Sequence, residues 1–143
     1  MATLVFSTEL DCTVAELHAF HSSTEALYAL TPRFLNLQVE GDDLSVYAGA
    51  RFVTWSGIGP IRQKWVAVIE EAGPNGFTDF SEEGPFKEFR HHHRFLPLDD
   101  RSILEDEIHY KTGYGTFADF VAGFGIRALF AFRHYKTKKA LRR

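Results

Sequence analysis

From Phe89 to Phe95, and again from Ile103 to Tyr110, side chains alternate in type with a period of two. That is the pattern of a strand with two unlike faces. In the first run Phe89, His91, His93 and Phe95 share one face, and Glu88, Arg90, His92 and Arg94 share the other. The second run divides into Leu104, Asp106, Ile108 and Tyr110 against Ile103, Glu105, Glu107 and His109. Between them, Pro97-Leu98-Asp99-Asp100-Arg101-Ser102 supplies turn residues. Charge sets the register. Pairing Pro97 with Ser102 across a four-residue loop puts Arg94 opposite Glu105 and His92 opposite Glu107. On the other face Phe95 then meets Leu104, His93 meets Asp106, His91 meets Ile108 and Phe89 meets Tyr110. A slip of one residue would set each polar face against an apolar one. The pattern predicts an antiparallel hairpin with a charged outer face. Its inner face is apolar apart from two histidines and a carboxylate, which suits the wall of a cavity.

The rest of the chain follows from similar signals. Thr3 to Leu10 reads as a strand with Leu4, Phe6 and Thr8 on one face. Thr13-x-x-Glu16 is a capping box that opens a short helix to about His21. A second short helix runs from Ser23 or Thr24 to Leu30 and ends at Thr31-Pro32. His18 and His21, one turn apart, read as histidines at the solvent edge. Beyond Pro32 the pattern is β: Phe34 to Glu40, a turn at Gly41-Asp42-Asp43, then Tyr47 to Ile58 with a break near Gly49. Ile61 to Ala72 follows, with Trp65, Ala67 and Ile69 on one face. Gly73-Pro74-Asn75-Gly76 turns the chain into Phe77 to Glu82, and the pattern leaves the register of these middle strands open. After Gly113-Tyr114-Gly115, Thr116-x-x-Asp119 caps a long helix to about Leu141. Phe117, Val121, Phe124, Ala128, Ala131 and Tyr135 form its apolar stripe, expected to lie across the inner face of the sheet. Small Gly123, Gly125 and Ala128 leave room beneath it. Ile126, Leu129 and Phe130 are expected on the opposite, exposed side.

Composition adds bounds. One domain spanning 1–143 is expected, since 143 residues of which 45% are hydrophobic, with 14 phenylalanines, can bury a real core. The single cysteine, Cys12, excludes an internal disulfide and a cysteine zinc site. The first residues lack the basic and apolar regions of a signal peptide. The longest apolar stretch, Phe117 to Phe132, contains Asp119 and Arg127, so no stable membrane insertion is expected. A cytoplasmic location follows. Charge is segregated: all 19 acidic residues precede residue 120, whereas 7 of the 16 Lys and Arg follow it. A basic helix end complements its own dipole, and without a domain-wide basic surface no nucleic-acid partner is expected.

With these elements in order, the chain resembles the SRPBCC superfamily, the START-like and birch-pollen-allergen-like helix-grip proteins. Its nearest likeness is to small bacterial members described as polyketide cyclase/dehydrase-like or ligand-binding. The resemblance rests on Leu30-Thr31-Pro32, Trp65-x-x-x-Ile69, Phe77-x-Asp79, Gly84-Pro85-Phe86 and Phe89-x-His91-x-His93-x-Phe95. Asp106-x-x-x-Tyr110 and Phe130-Ala131-Phe132-Arg133 complete it, so it spans nearly the whole chain. It departs at Phe89, where relatives carry Trp, and at Lys111-Thr112-Gly113. The resemblance implies an α+β helix-grip fold: a curved antiparallel sheet of about seven strands around a long C-terminal helix, with two short helices after the first strand. It also implies a cavity for a small hydrophobic ligand.

Three chemistries compete for His91, His93 and Asp106. Two histidines and a carboxylate on neighbouring strands resemble a metal triad. A His93–Asp106 acid/base pair would suit a cyclase or dehydratase acting on a polyketide-like substrate. The third reading makes them the polar anchor of an apolar pocket, and this reading leads. No catalytic residue, metal or other cofactor is therefore expected. The expected function is binding of a lipid-like or polyketide-like molecule between sheet and C-terminal helix. The walls expected from sequence are Phe52, Trp65, Phe89, Phe95, Ile108, Tyr110, Phe117, Val121, Phe124 and Ala128. The outer side of the helix, at Ile126, Leu129 and Phe130, is where a homodimer would form.

Overall fold

The computed structural model describes residues 1–22, 24–41 and 45–142. The chain runs β1 (Ala2–Leu10), α1 (Val14–His21), α2 (Thr24–Ala29), a 3-10 turn (Arg33–Leu35) and β2 (Gln38–Val39). β3 (Arg51–Ile58), β4 (Ile61–Gly73), β5 (Gly76–Glu83), β6 (Glu88–Leu98), β7 (Arg101–Lys111) and α3 (Thr116–Ala140) follow. All seven strands form one antiparallel sheet in the order β1-β7-β6-β5-β4-β3-β2. The three helices include none long and apolar enough to cross a membrane among the described residues.

The hairpin has the register that its charges predict. Arg94 stands opposite Glu105, His92 opposite Glu107, His93 opposite Asp106 and Phe89 opposite Tyr110. The turn is tighter than expected, because pairing continues to Leu98 and Arg101. Asp99 accommodates this by adopting a left-handed φ of 55°, a conformation that aspartate tolerates better than most residues.

β2 is shorter than the strand expected over Phe34 to Glu40. Arg62 donates to the carbonyls of Leu35, Asn36 and Trp55. A cation therefore takes acceptors that a strand partner would otherwise use, and Asn36 leaves the extended region at φ 46°. β3 begins only at Arg51, since Gly49 sits at φ 92° in a turn. Asp42 and Asp43 of the expected turn, and Ser23 before α2, lie outside the described residues. Among the middle strands, whose register the sequence leaves open, the pairing of β4 with β5 shifts between Val66 and Ala67 and between Ile69 and Glu71.

Two apolar clusters hold the helices to the inner face. Leu10, Cys12, Leu17, Phe95 and Leu104, joined by Val14, Phe77 and Leu141, seat α1 on β6 and β7. Ile108, Tyr110, Ile126 and Phe130, with Leu4, Phe6, Phe89 and Leu129, seat α3 on β1 and β7. α3 is turned the other way from its expected orientation. Its buried positions are Asp119, Gly123, Ile126, Phe130, His134 and Thr137. Phe117, Val121, Phe124 and Tyr135 are exposed by at least half, and Ala128 and Ala131 are exposed too. Large apolar side chains surround most of this helix, so hydrophobic periodicity does not select a face. Polar chemistry selects it instead. Thr112 donates its N–H and hydroxyl to Asp119, Tyr110 donates to the Asp119 carbonyl, and His134 reaches Asp106. Asp119 thus ties the helix to the end of β7 and is not a hydrogen-bonding cap, the N-cap being Gly115.

Candidate functional site

Between the two apolar clusters lies a polar band. Along β6 it replaces apolar side chains at His91 and His93, and along β7 at Asp106, all three less than 10% exposed. The hairpin register alone brings these together. Two further residues complete the band. β5 adds Asp79, paired with His91 in the ladder, and α3 adds His134, one turn after Phe130.

Asp106 is the hub. His91 Nε2 lies 2.7 Å from its Oδ1, His134 Nε2 2.6 Å from its Oδ2, and His93 Nδ1 3.2 Å from Oδ1. Two of the remaining nitrogens are hydrogen-bonded too. His93 Nε2 donates to Asp79 Oδ2 at 2.9 Å, His91 Nδ1 lies 3.9 Å from the same oxygen, and the Thr8 hydroxyl bonds His134 Nδ1 at 2.7 Å. A continuous path of polar groups therefore runs from β1 through α3 and the hairpin to β5.

Burial would raise the pKa of Asp106, but the field of His91 and hydrogen bonds from His134, His91 and His93 hold it well below the usual carboxylate range. Asp79 is lowered as well, the His93 hydrogen bond and the fields of His91, His93 and Arg133 outweighing burial. The two histidines of β6 diverge. Burial drives His91 down to about 4, with His93 adding to the effect. His93 is raised despite its burial, because hydrogen bonds to Asp106 and Asp79 favour its charged form. The band therefore sets two carboxylates against a histidine, His93, whose charged form they favour, with His91 held low beside it. Buried charges persist only when paired in this way.

The structure brings the expected anchor residues His91, His93 and Asp106 together. Asp79 and His134 were missed. Their signals were present in Phe77-x-Asp79 and in a histidine on the last helix, but only the fold places them beside Asp106. Of the expected walls, Phe95, Ile108 and Tyr110 are buried core, while Phe52, Trp65 and Phe89 are half-buried on the inner face. Trp65 packs edge-on against Phe89 at 5.0 Å between ring centroids. Phe117, Val121, Phe124 and Ala128 face away from this site. His21 was expected at the solvent edge, yet its ring lies 5.2 Å from Phe95 and 6.4 Å from His93. Burial lowers it to about 4.

An open cleft of about 370 Å³ reaches this end of the sheet. Its walls are His18 and Ser22 from α1 and its C-terminal end, Val46 to Ala48, Ala72 to Pro74 at the β4–β5 turn, and Phe77 and Phe95 on the floor. Phe77 stacks on His93 at 3.9 Å, so the floor adjoins the polar band. This cleft lies beside α1, whereas α3 packs on β1 and β7 through Ile126 and Phe130.

No family model matches the chain, and no curated protein matches it. Solved structures do. Protein Ms6760 from Mycobacterium smegmatis aligns at a TM-score of 0.76 with 15% identity, covering 97% of this chain and 90% of that one. Ara h 8.0201 aligns at 0.73 with 9% identity, covering 98% and 97%. TTHA0849 from Thermus thermophilus aligns at 0.71 with 14% identity, covering 97% and 99%. The chain has a helix-grip fold, an antiparallel seven-stranded sheet with a long C-terminal helix and two short helices after the first strand. At these identities the likeness establishes the fold, and chemistry must be argued from the residues.

Proposed function

We propose that this protein binds a small amphipathic molecule in the cleft between the sheet, α1 and residues 46–48. The observation that carries the reading is the floor of that cleft, where apolar Phe77 and Phe95 run directly into the His93–Asp79 pair. An apolar ligand body would cover the two phenylalanines and the Val46–Tyr47 wall. A polar group at its end would meet His93 or Asp79. The volume lies within the range of small-molecule sites, which combine apolar walls with a few placed polar groups. Lipid-like and polyketide-like molecules have this character, and the helix-grip fold accords with it.

A second reading makes the protein a cyclase or dehydratase. It is favoured by His93, which holds a proton between two carboxylates at the margin of the cleft, as a general acid would. Binding is the first step in either case, so binding is what is tested. Titration with 1-anilinonaphthalene-8-sulfonate and with palmitate should show one site per chain at micromolar affinity. Ala48→Trp should fill the cleft and abolish that site with an unchanged circular dichroism spectrum. Ala128→Trp, on the far side of α3, should bind like the wild type. A wild type that takes up neither probe, or an Ala48→Trp variant that binds equally well, would overturn the reading.

A further inference from the structure

The outer face of the sheet carries a second cluster of histidines. His92 and His109 project there from β6 and β7, with Glu107 opposite His92 and two residues before His109. One nitrogen of each imidazole and one Glu107 oxygen all lie within 4.8 Å of one another. In sequence this face reads as a row of cross-strand charge pairs.

The structure adds a threonine on either side. Thr78 of β5 pairs with His92 in the ladder, and its hydroxyl lies 3.0 Å from His92 Nδ1. Thr3 of β1 pairs with His109, and its hydroxyl lies 2.9 Å from His109 Nδ1. A row Thr78–His92–His109–Thr3 therefore crosses four adjacent strands, and each ring is held through Nδ1. That leaves both Nε2 atoms clear of the threonines, and His109 Nε2 already lies 2.8 Å from Glu107 Oε2.

We propose that His92, His109 and Glu107 form a surface site for a divalent transition ion of the zinc, nickel and copper kind. Imidazole and carboxylate are the donors such ions take. A metal-bound imidazole keeps its other N–H, which needs an acceptor, and that outer partner fixes the ring. A threonine hydroxyl serves in both states. It donates to Nδ1 when Nε2 carries the proton, and it accepts from Nδ1–H once Nε2 binds metal. Arg94 does not hold the carboxylate away. Its shorter contact is to Glu105 at 2.9 Å, against 3.5 Å to Glu107, so it keeps a partner when Glu107 turns to an ion. Three protein ligands leave the remaining coordination positions to water or to a donor from outside.

The experiment is a calorimetric titration of the untagged full chain, stripped with chelator, using Zn²⁺ with Mg²⁺ as control. One equivalent of Zn²⁺ should bind and Mg²⁺ should not. His92→Ala/His109→Ala should remove that equivalent. Thr3→Val/Thr78→Val should weaken it by about tenfold or more while both ligands remain. Sub-stoichiometric Cu²⁺ should broaden the ring protons of His92 and His109 before those of His91 and His93. Absence of Zn²⁺ binding, an equivalent that survives the double histidine substitution, or broadening that begins at His91 and His93 would each overturn the proposal. The cleft is on the other face, so probe binding there is read separately.

Discussion

Asp106 shows how much one side chain can organise. It is an acceptor for three imidazoles, from the neighbouring strand and from the helix that crosses it, and it is almost fully buried. Removing one partner of a buried charged network leaves the others uncompensated, at a cost of about 3–5 kcal/mol. Asp106→Ala should therefore lower the urea midpoint by a corresponding amount. Its neighbour Glu105 pairs with Arg94 on the outer face, where both side chains are partly exposed, and such pairs contribute about 0–1 kcal/mol. Glu105→Ala should leave the midpoint nearly unchanged. Equal midpoints for the two variants would mean that Asp106 is not the hub of the band.

At the scale of the elements, α3 is placed by two kinds of contact, and its glycines separate them. A Cβ on Gly123 would come within 2.7 Å of the Tyr110 hydroxyl, which donates to the Asp119 carbonyl at 2.6 Å. Gly123→Ala must displace that ring from a packed site, a change that costs about 1–3 kcal/mol. Gly125 lies two residues on, and nothing stands within 4 Å of where its Cβ would be. There alanine only restricts the unfolded chain and should stabilise by about 0.5–1 kcal/mol. Chemical denaturation of the two variants should therefore move in opposite directions. If both were neutral, the helix would not meet β7 through Gly123.

At the scale of the molecule, α1 and the hairpin meet around His21. In the folded chain its ring stays neutral until about pH 4, whereas an unfolded histidine takes up its proton at about 6.5. As pH falls through that window the unfolded state binds more protons, so the folded state loses stability. Other buried groups titrate as well: Asp79 and Asp106 add losses at lower pH, and the raised His93 adds a loss on the alkaline side. The comparison with His21→Gln isolates His21 from them. Wild type should lose stability relative to the variant between about pH 6.5 and 4, with a constant difference on either side. Parallel melting profiles across that window would show that His21 is hydrated and protonated in the fold.

Much of this architecture can be read from residues that lie close in sequence. The β6–β7 register follows from alternation and from opposed charges, since a slip of one residue moves every side chain to the wrong face. The capping box at Thr13 and Glu16 is equally local and forms as expected. His91, His93 and Asp106 are legible for the same reason. Other features depend on contacts between distant segments. β4 pairs with β5 through two irregularities, and no local pattern specifies where an extra residue enters. The orientation of α3 was hidden because Phe117, Phe124, Ile126 and Phe130 have similar hydrophobicity around the helix. Only the buried partners of Asp119, Gly123 and His134 decide which side faces the sheet. Asp79 and His134 join the site on the same terms, from a strand and a helix far apart in the chain. A buried charge must be paired, and the chain satisfies that requirement in three dimensions.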